Sequence, residues 1–167
     1  MRLLGAGLLW TSLMFAGVAY SVKLKQRVYL LEKTKLMIED MKIQLKFLNL
    51  PVYDILSNIA EKDYLRKLTY IRESCERIQS GEDFHVAWHS AIKSTHLPYK
   101  REETERLLHI GLNLGTSDAE NQLSILSLNS EYFDECIAKA KLDEKKYGNL
   151  TATLGALSGC GIFILLL

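Results

Sequence analysis

Residues 3–22 read LLGAGLLWTSLMFAGVAYSV and residues 147–167 read YGNLTATLGALSGCGIFILLL, and neither run holds an Asp, Glu, Lys, Arg or His. A helix rises about 1.5 Å per residue, so a run of this length spans roughly 30 Å, the thickness of a hydrocarbon core. A charge at mid-bilayer costs on the order of 3 kcal/mol, so charge-free runs at both ends predict two transmembrane helices, within 1–22 and 147–167. The stretch between them, 23–146, carries every charged side chain except Arg2. With 21 basic and 20 acidic residues in the chain, that middle region is electrically balanced, which excludes a general nucleic-acid binder.

The basic residues also set an orientation. Lys23, Lys25, Arg27, Lys33 and Lys35 flank one run, and Lys139, Lys141, Lys145 and Lys146 flank the other. By the positive-inside rule the middle domain is cytoplasmic. Ala16-Gly17-Val18-Ala19 offers small residues for signal-peptide cleavage. The basic cluster that follows at once opposes export and favours a retained anchor. A chain stopping at the end of the second run is expected to carry no receptor head on the far side. That second run is weakly apolar in its first half, and Gly155 and Gly159 form a GxxxG pair suited to close packing against another helix.

The middle domain reads as helical. Pro51 and Pro98 are its only prolines, and sustained apolar alternation is absent. Leu24, Val28, Leu31, Ile38, Leu45 and Leu48 lie on one helical face, and Leu50-Pro51 ends that helix. Pro51 then opens a helix with Ile55, Leu56 and Ile59 inward. A third helix is predicted to carry Leu65, Leu68, Ile71, Cys75 and Ile78 and to stop at Gly81. Asp83 caps a fourth that buries Phe84, Ala87, Trp88, Ala91 and Ile92. A fifth covers about 101–112, with Leu107, Leu108 and Leu112 inward. Ser117 and Glu120 read as a capping box for a sixth, whose inner face takes Ala119, Leu123, Leu126, Ser130, Phe133, Ile137, Ala140 and Tyr147. The predicted fold is all-α: an antiparallel bundle of about six helices between the two membrane helices.

No nucleotide-binding loop, GxSxG or HExxH motif occurs, and the sequence offers no catalytic residue or cofactor signature. Cys75, Cys136 and Cys160 are scattered, as expected of reduced cytosolic thiols. His85 and His89 are four apart and would permit a metal-dependent membrane hydrolase, with a third ligand from His96, His109 or Glu82. The plainer reading sets them at the surface around a buried Trp88, with no metal. A transporter would require a homo-oligomer, because neither run supplies an intramembrane charge. The charged stretches around Arg101, Glu102 and Glu105, and around Lys139, Lys145 and Lys146, are candidate partner-docking surfaces.

Three stretches, in order, resemble the stage III sporulation protein AB family of endospore-forming bacteria. The strongest runs from Leu107 to Asp118 and on to Gln122, and is similar to that family's Leu-x-x-Leu-Gly-x-x-Leu-Gly-x-x-Asp pattern through Ile110-Gly111 and Leu114-Gly115. The second is the ending from Lys145 through Gly155 and Gly159; the third is Phe84-x-x-Ala87-Trp88-x-x-Ala91. The first bend, Phe47-Leu48-Asn49-Leu50-Pro51, is more apolar than the family's usual turn. The resemblance implies a non-enzymatic part of the channel between mother cell and forespore, in the mother-cell membrane. It further implies a domain similar to the F-type platform proteins of type II secretion, with the stage III sporulation protein AA ATPase and other channel components as partners.

Overall fold

The structure, a computed structural model, describes the backbone of residues 2–48, 50–116 and 118–166 and the side chains of residues 12, 15–48, 50–116 and 118–148. Among these residues the fold is all-helical, with six α-helices and no strand. They are α1 (Arg2–Ile43), α2 (Val52–Ala60), α3 (Thr69–Gln79), α4 (Phe84–Ser94), α5 (Arg101–Asn113) and α6 (Ala119–Leu166). The outer two are long, at 42 and 48 residues, and they take up residues 3–22 and 147–166 without a break. Among the described residues no helix is long and apolar enough to cross a membrane. Most side chains of both runs, and those of Gly155, Gly159 and Cys160, lie outside the described residues.

The chain divides into two compact units, one of residues 29–137 and the other pairing residues 1–28 with 138–167. In the first, α3 packs on α2 and α4, and α4 packs on α5. Its core draws Leu31, Ile38 and Met41 from α1, Leu56 and Ile59 from α2, Trp88 from α4 and Phe133 from α6, each at most 1 % exposed. At about 25 cal/mol per Å² of apolar surface, burying side chains of this size stabilises by roughly 1.5–3 kcal/mol each. Tyr99, just past Pro98, ties the α4–α5 connection back to α1: its hydroxyl donates to the Leu30 carbonyl at 2.9 Å and lies 2.6 Å from Thr34 Oγ1. Burial pushes the Tyr99 phenol well above its ordinary range.

Several residues differ from the sequence reading. The end of α1 widens into a π-helical turn, Gln44–Leu48, and the extra residue per turn rotates Leu48 outward to 58 % exposure. Leu65 and Leu68 are buried as predicted, but Leu65 sits on a separate 3₁₀ turn, Asp63–Leu65, and Leu68 precedes the first turn of α3. Ile78 and Leu123 are only half-buried, and Ala119 and Tyr147 are exposed. On α6, Leu126, Ser130, Phe133, Ile137 and Ala140 are buried as predicted, and Gln122, Asn129 and Cys136 join them. Ser117 lies outside the described residues; the cap seen at α6 is Asp118, whose Oδ2 accepts from the Asn121 amide at 3.2 Å.

Candidate functional site

The residues that make up the longest sequence pattern meet at two places within the 29–137 unit. The first is the α4–α5 junction. Asp83 caps α4 by accepting from the His85 amide at 2.9 Å, which fixes the first turn and sets His85 and Trp88 toward α5. The Trp88 indole is 1 % exposed, and its Nε1 donates to the Leu107 carbonyl at 3.0 Å. A buried indole N–H left without a partner would cost about 1–3 kcal/mol, so this bond fixes the ring's orientation. Tyr70 meets Trp88 edge-on, at 5.6 Å between centroids and 87° between planes. Gly111 has no side chain where the indole lies: a Cβ there would fall 2.1 Å from Trp88 Cδ1. The Gly111 carbonyl, 2.8 Å from His85 Nδ1, accepts the proton on that nitrogen.

The second place is the α5–α6 corner. Gly115 adopts φ +79°, a left-handed conformation that favours glycine. Its amide donates to Gln122 Oε1 at 3.0 Å. Gly115, Asp118 and Gln122 together turn the chain out of α5 and start α6.

The predicted docking residues fall into different units. Arg101 and Glu105 form an ion pair at 2.7 Å on the open face of α5 and so neutralise one another. Glu102 and Glu105 line a cavity of about 390 Å³ with Arg106, His109 and Tyr132. The Arg106 guanidinium lies 4.9 Å from the centre of the Tyr132 ring. Burial and a hydrogen bond with Cys136 push the Tyr132 phenol up to about 12. Lys139, Lys145 and Lys146 belong to the other unit and are exposed. Lys146 lies over the Tyr147 ring at 5.0 Å, and Lys145 lines a groove with Lys25, Lys141, Glu144 and Gly148. In the sequence alone Lys25 serves only as a topology signal.

His85 is occupied by Gly111, and Glu82 is held by Arg77 at 3.3 Å. Among the described residues no group of three His, Cys, Asp or Glu side chains is placed to hold a metal ion. Cys75 and Cys136 are buried thiols outside any disulfide, and burial pushes the Cys75 thiol up. Compared with known proteins, the chain matches the family model of stage III sporulation protein AB over residues 2–167. No curated protein and no solved structure matches it.

Proposed function

The chain belongs to the stage III sporulation protein AB family, and from that premise we propose that it is a membrane-anchored, non-enzymatic platform. In this reading it seats the cytoplasmic stage III sporulation protein AA ATPase and organises the secretion-like channel between mother cell and forespore. The observation that supports it most is where the pattern residues go. Trp88, Gly111, Gly115, Asp118 and Gln122 are all committed to holding helices or turns together. A chain whose characteristic residues build shape is suited to presenting a rigid surface to partners. The two charge-free runs, each continuous with a long helix, support anchoring at both ends.

The test is co-purification of the full-length protein from sporulating cells with the ATPase. Retention of the ATPase by the wild-type chain, and its loss when Glu102 and Arg106 are both reversed in charge, is the expected result. Absence of the ATPase, together with normal channel assembly in cells lacking this chain, would overturn the platform reading.

A further inference from the structure

The groove lined by Lys25, Lys141, Glu144, Lys145 and Gly148 lies wholly within the unit formed by residues 1–28 and 138–167. Residues 141, 144, 145 and 148 follow the i, i+3, i+4, i+7 spacing, so they share one face of α6. Lys25 reaches the same groove from α1. At its base the helices come together: a Cβ on Gly148 would lie 3.6 Å from Ser21 Oγ, and Gly148 itself is buried. The absent side chain keeps the floor open, and the groove encloses about 330 Å³. Three lysines and one glutamate line it, and among the described residues neither Lys25 nor Lys145 makes an ion pair.

Two further features fix the level of this groove along the helices. It straddles the inner ends of both charge-free runs, with Ser21 and Gly148 just inside them and Lys25, Lys141, Glu144 and Lys145 just outside. Tyr20 and Tyr147, at 47 % and 39 % exposure, stand next to Ser21 and Gly148. Tyrosines in such a position mark the boundary between hydrocarbon and water, where an amphipathic ring is stable.

We infer that this groove binds a phosphate group, that of an anionic phospholipid headgroup such as phosphatidylglycerol. The inference rests on the membrane reading above. Its chemistry is specific: lysines from two helices line a volume large enough for a phosphodiester. Clusters of lysine beside membrane helices attract anionic lipid, and the open floor at Gly148 turns a diffuse attraction into a site. Glu144 sets a limit on the charge admitted, so removing its carboxylate should tighten binding.

Native mass spectrometry of the full-length protein in non-ionic detergent, titrated with dioleoylphosphatidylglycerol, tests this. The wild-type chain should retain one lipid, and Lys25→Gln/Lys141→Gln/Lys145→Gln should weaken retention at least tenfold. Lys67→Gln/Lys93→Gln/Lys100→Gln, an equal loss of charge from the bundle surface, should change it less than twofold. Glu144→Gln should strengthen it about threefold. Millimolar inorganic phosphate that displaces the lipid would assign the site to phosphate in general; resistance to phosphate would assign it to the intact headgroup. Equal retention by the groove variant, or an equal drop in the control, would overturn the inference. Carbonate-resistant flotation with phosphatidylcholine vesicles checks the anchoring separately. A chain that floats without any lysine effect fails only this inference, whereas one that does not float fails the membrane reading.

Discussion

Gly111 and Gly148 both sit where two helices come close, yet the space around them differs. At Gly111 a methyl group would meet the Trp88 indole at 2.1 Å, well inside any permitted contact. At Gly148 it would meet Ser21 Oγ at 3.6 Å, an ordinary van der Waals distance. The first glycine is required by the packing of the bundle. The second is tolerant of a methyl group, and what it provides is room beside charged side chains. The same residue type thus locks shape in one unit and opens a groove in the other, and the surroundings decide which.

The largest expected effect breaks the first half of that comparison. Gly111→Ala must push the indole away, weakening the Nε1 bond to Leu107 and straining the His85 contact. Overpacking a buried site costs about 1–3 kcal/mol and the lost hydrogen bond adds roughly 1 kcal/mol, set against a helix-propensity gain of about 1 kcal/mol. A net loss of about 1–3 kcal/mol is expected in urea unfolding of the full-length protein in detergent. Trp88→Leu should cost a similar amount. The double variant should be better than the sum by at least 1 kcal/mol, since the clash disappears with the ring. Strict additivity would mean that the glycine is not there for the indole.

Gly115 is the intermediate case. Its φ of +79° disfavours any Cβ, and a Cβ there would lie 3.2 Å from Val52 Cγ2. Gly115→Ala should therefore cost about 1–2 kcal/mol. Gly115→Asn should cost less of the backbone strain, because asparagine enters left-handed conformations more readily. Alanine proving as stable as glycine would show that the corner can re-form with a negative φ.

A smaller effect comes from acid. The Ser94 hydroxyl donates to the Glu73 carboxylate; burial opposes it, Arg77 adds to it, and the carboxyl lies below its ordinary value. For Glu39 burial pushes upward, but the hydroxyl of Ser130 and the ammonium of Lys42 outweigh it and the net shift is also downward. Lowered folded values mean that the stabilisation is complete above the unfolded value of about 4.3 and is lost as pH falls through the folded ones. Unfolding midpoints should decline from about pH 4.3 downward. Ser94→Ala combined with Ser130→Ala should flatten that decline. Both carboxylates are partly solvated, so the amplitude is modest. An identical decline in the double variant would remove these two groups as its source.

Much of the bundle is legible from spacing. Ala87, Trp88, Ala91 and Ile92 repeat at helical intervals and all four are buried on α4. On α5 the same reasoning chooses Leu107, Leu108 and Leu112, and only Leu107 is fully buried, with Leu112 57 % exposed. The face that turns inward is Leu107, Ile110, Gly111 and Leu114. Apolar periodicity weighs side chains, so a helix face centred on a glycine is misread by it. The resemblance to the family's Leu-Gly pattern did mark Gly111 and Gly115, without giving their partners. The groove beside Gly148 was half visible. Lys141 and Lys145 share a helix face in the sequence, whereas Lys25 lies more than a hundred residues away, and no local pattern links them. Charge counting finds the basic flanks of the apolar runs; only the pairing of two distant helices gathers three of those lysines into one groove.

The smallest expected effect sharpens the second half of the comparison. Gly148→Ala adds a methyl group at a distance that Ser21 accommodates, on a helix where alanine is favoured over glycine by about 1 kcal/mol. Thermal unfolding in detergent should shift by less than the equivalent of 0.5–1 kcal/mol, in the stabilising direction if in either. Gly148→Leu, by contrast, fills the floor of the groove and should lower phosphatidylglycerol retention while leaving Lys25, Lys141 and Lys145 in place. A loss of stability in Gly148→Ala as large as that in Gly111→Ala would mean that the helix pair is packed as tightly as the bundle, and that the groove has no spare room for a headgroup. A neutral alanine with an impaired leucine would instead separate space from charge: the lysines draw the anion in, and the missing side chain at 148 lets it settle.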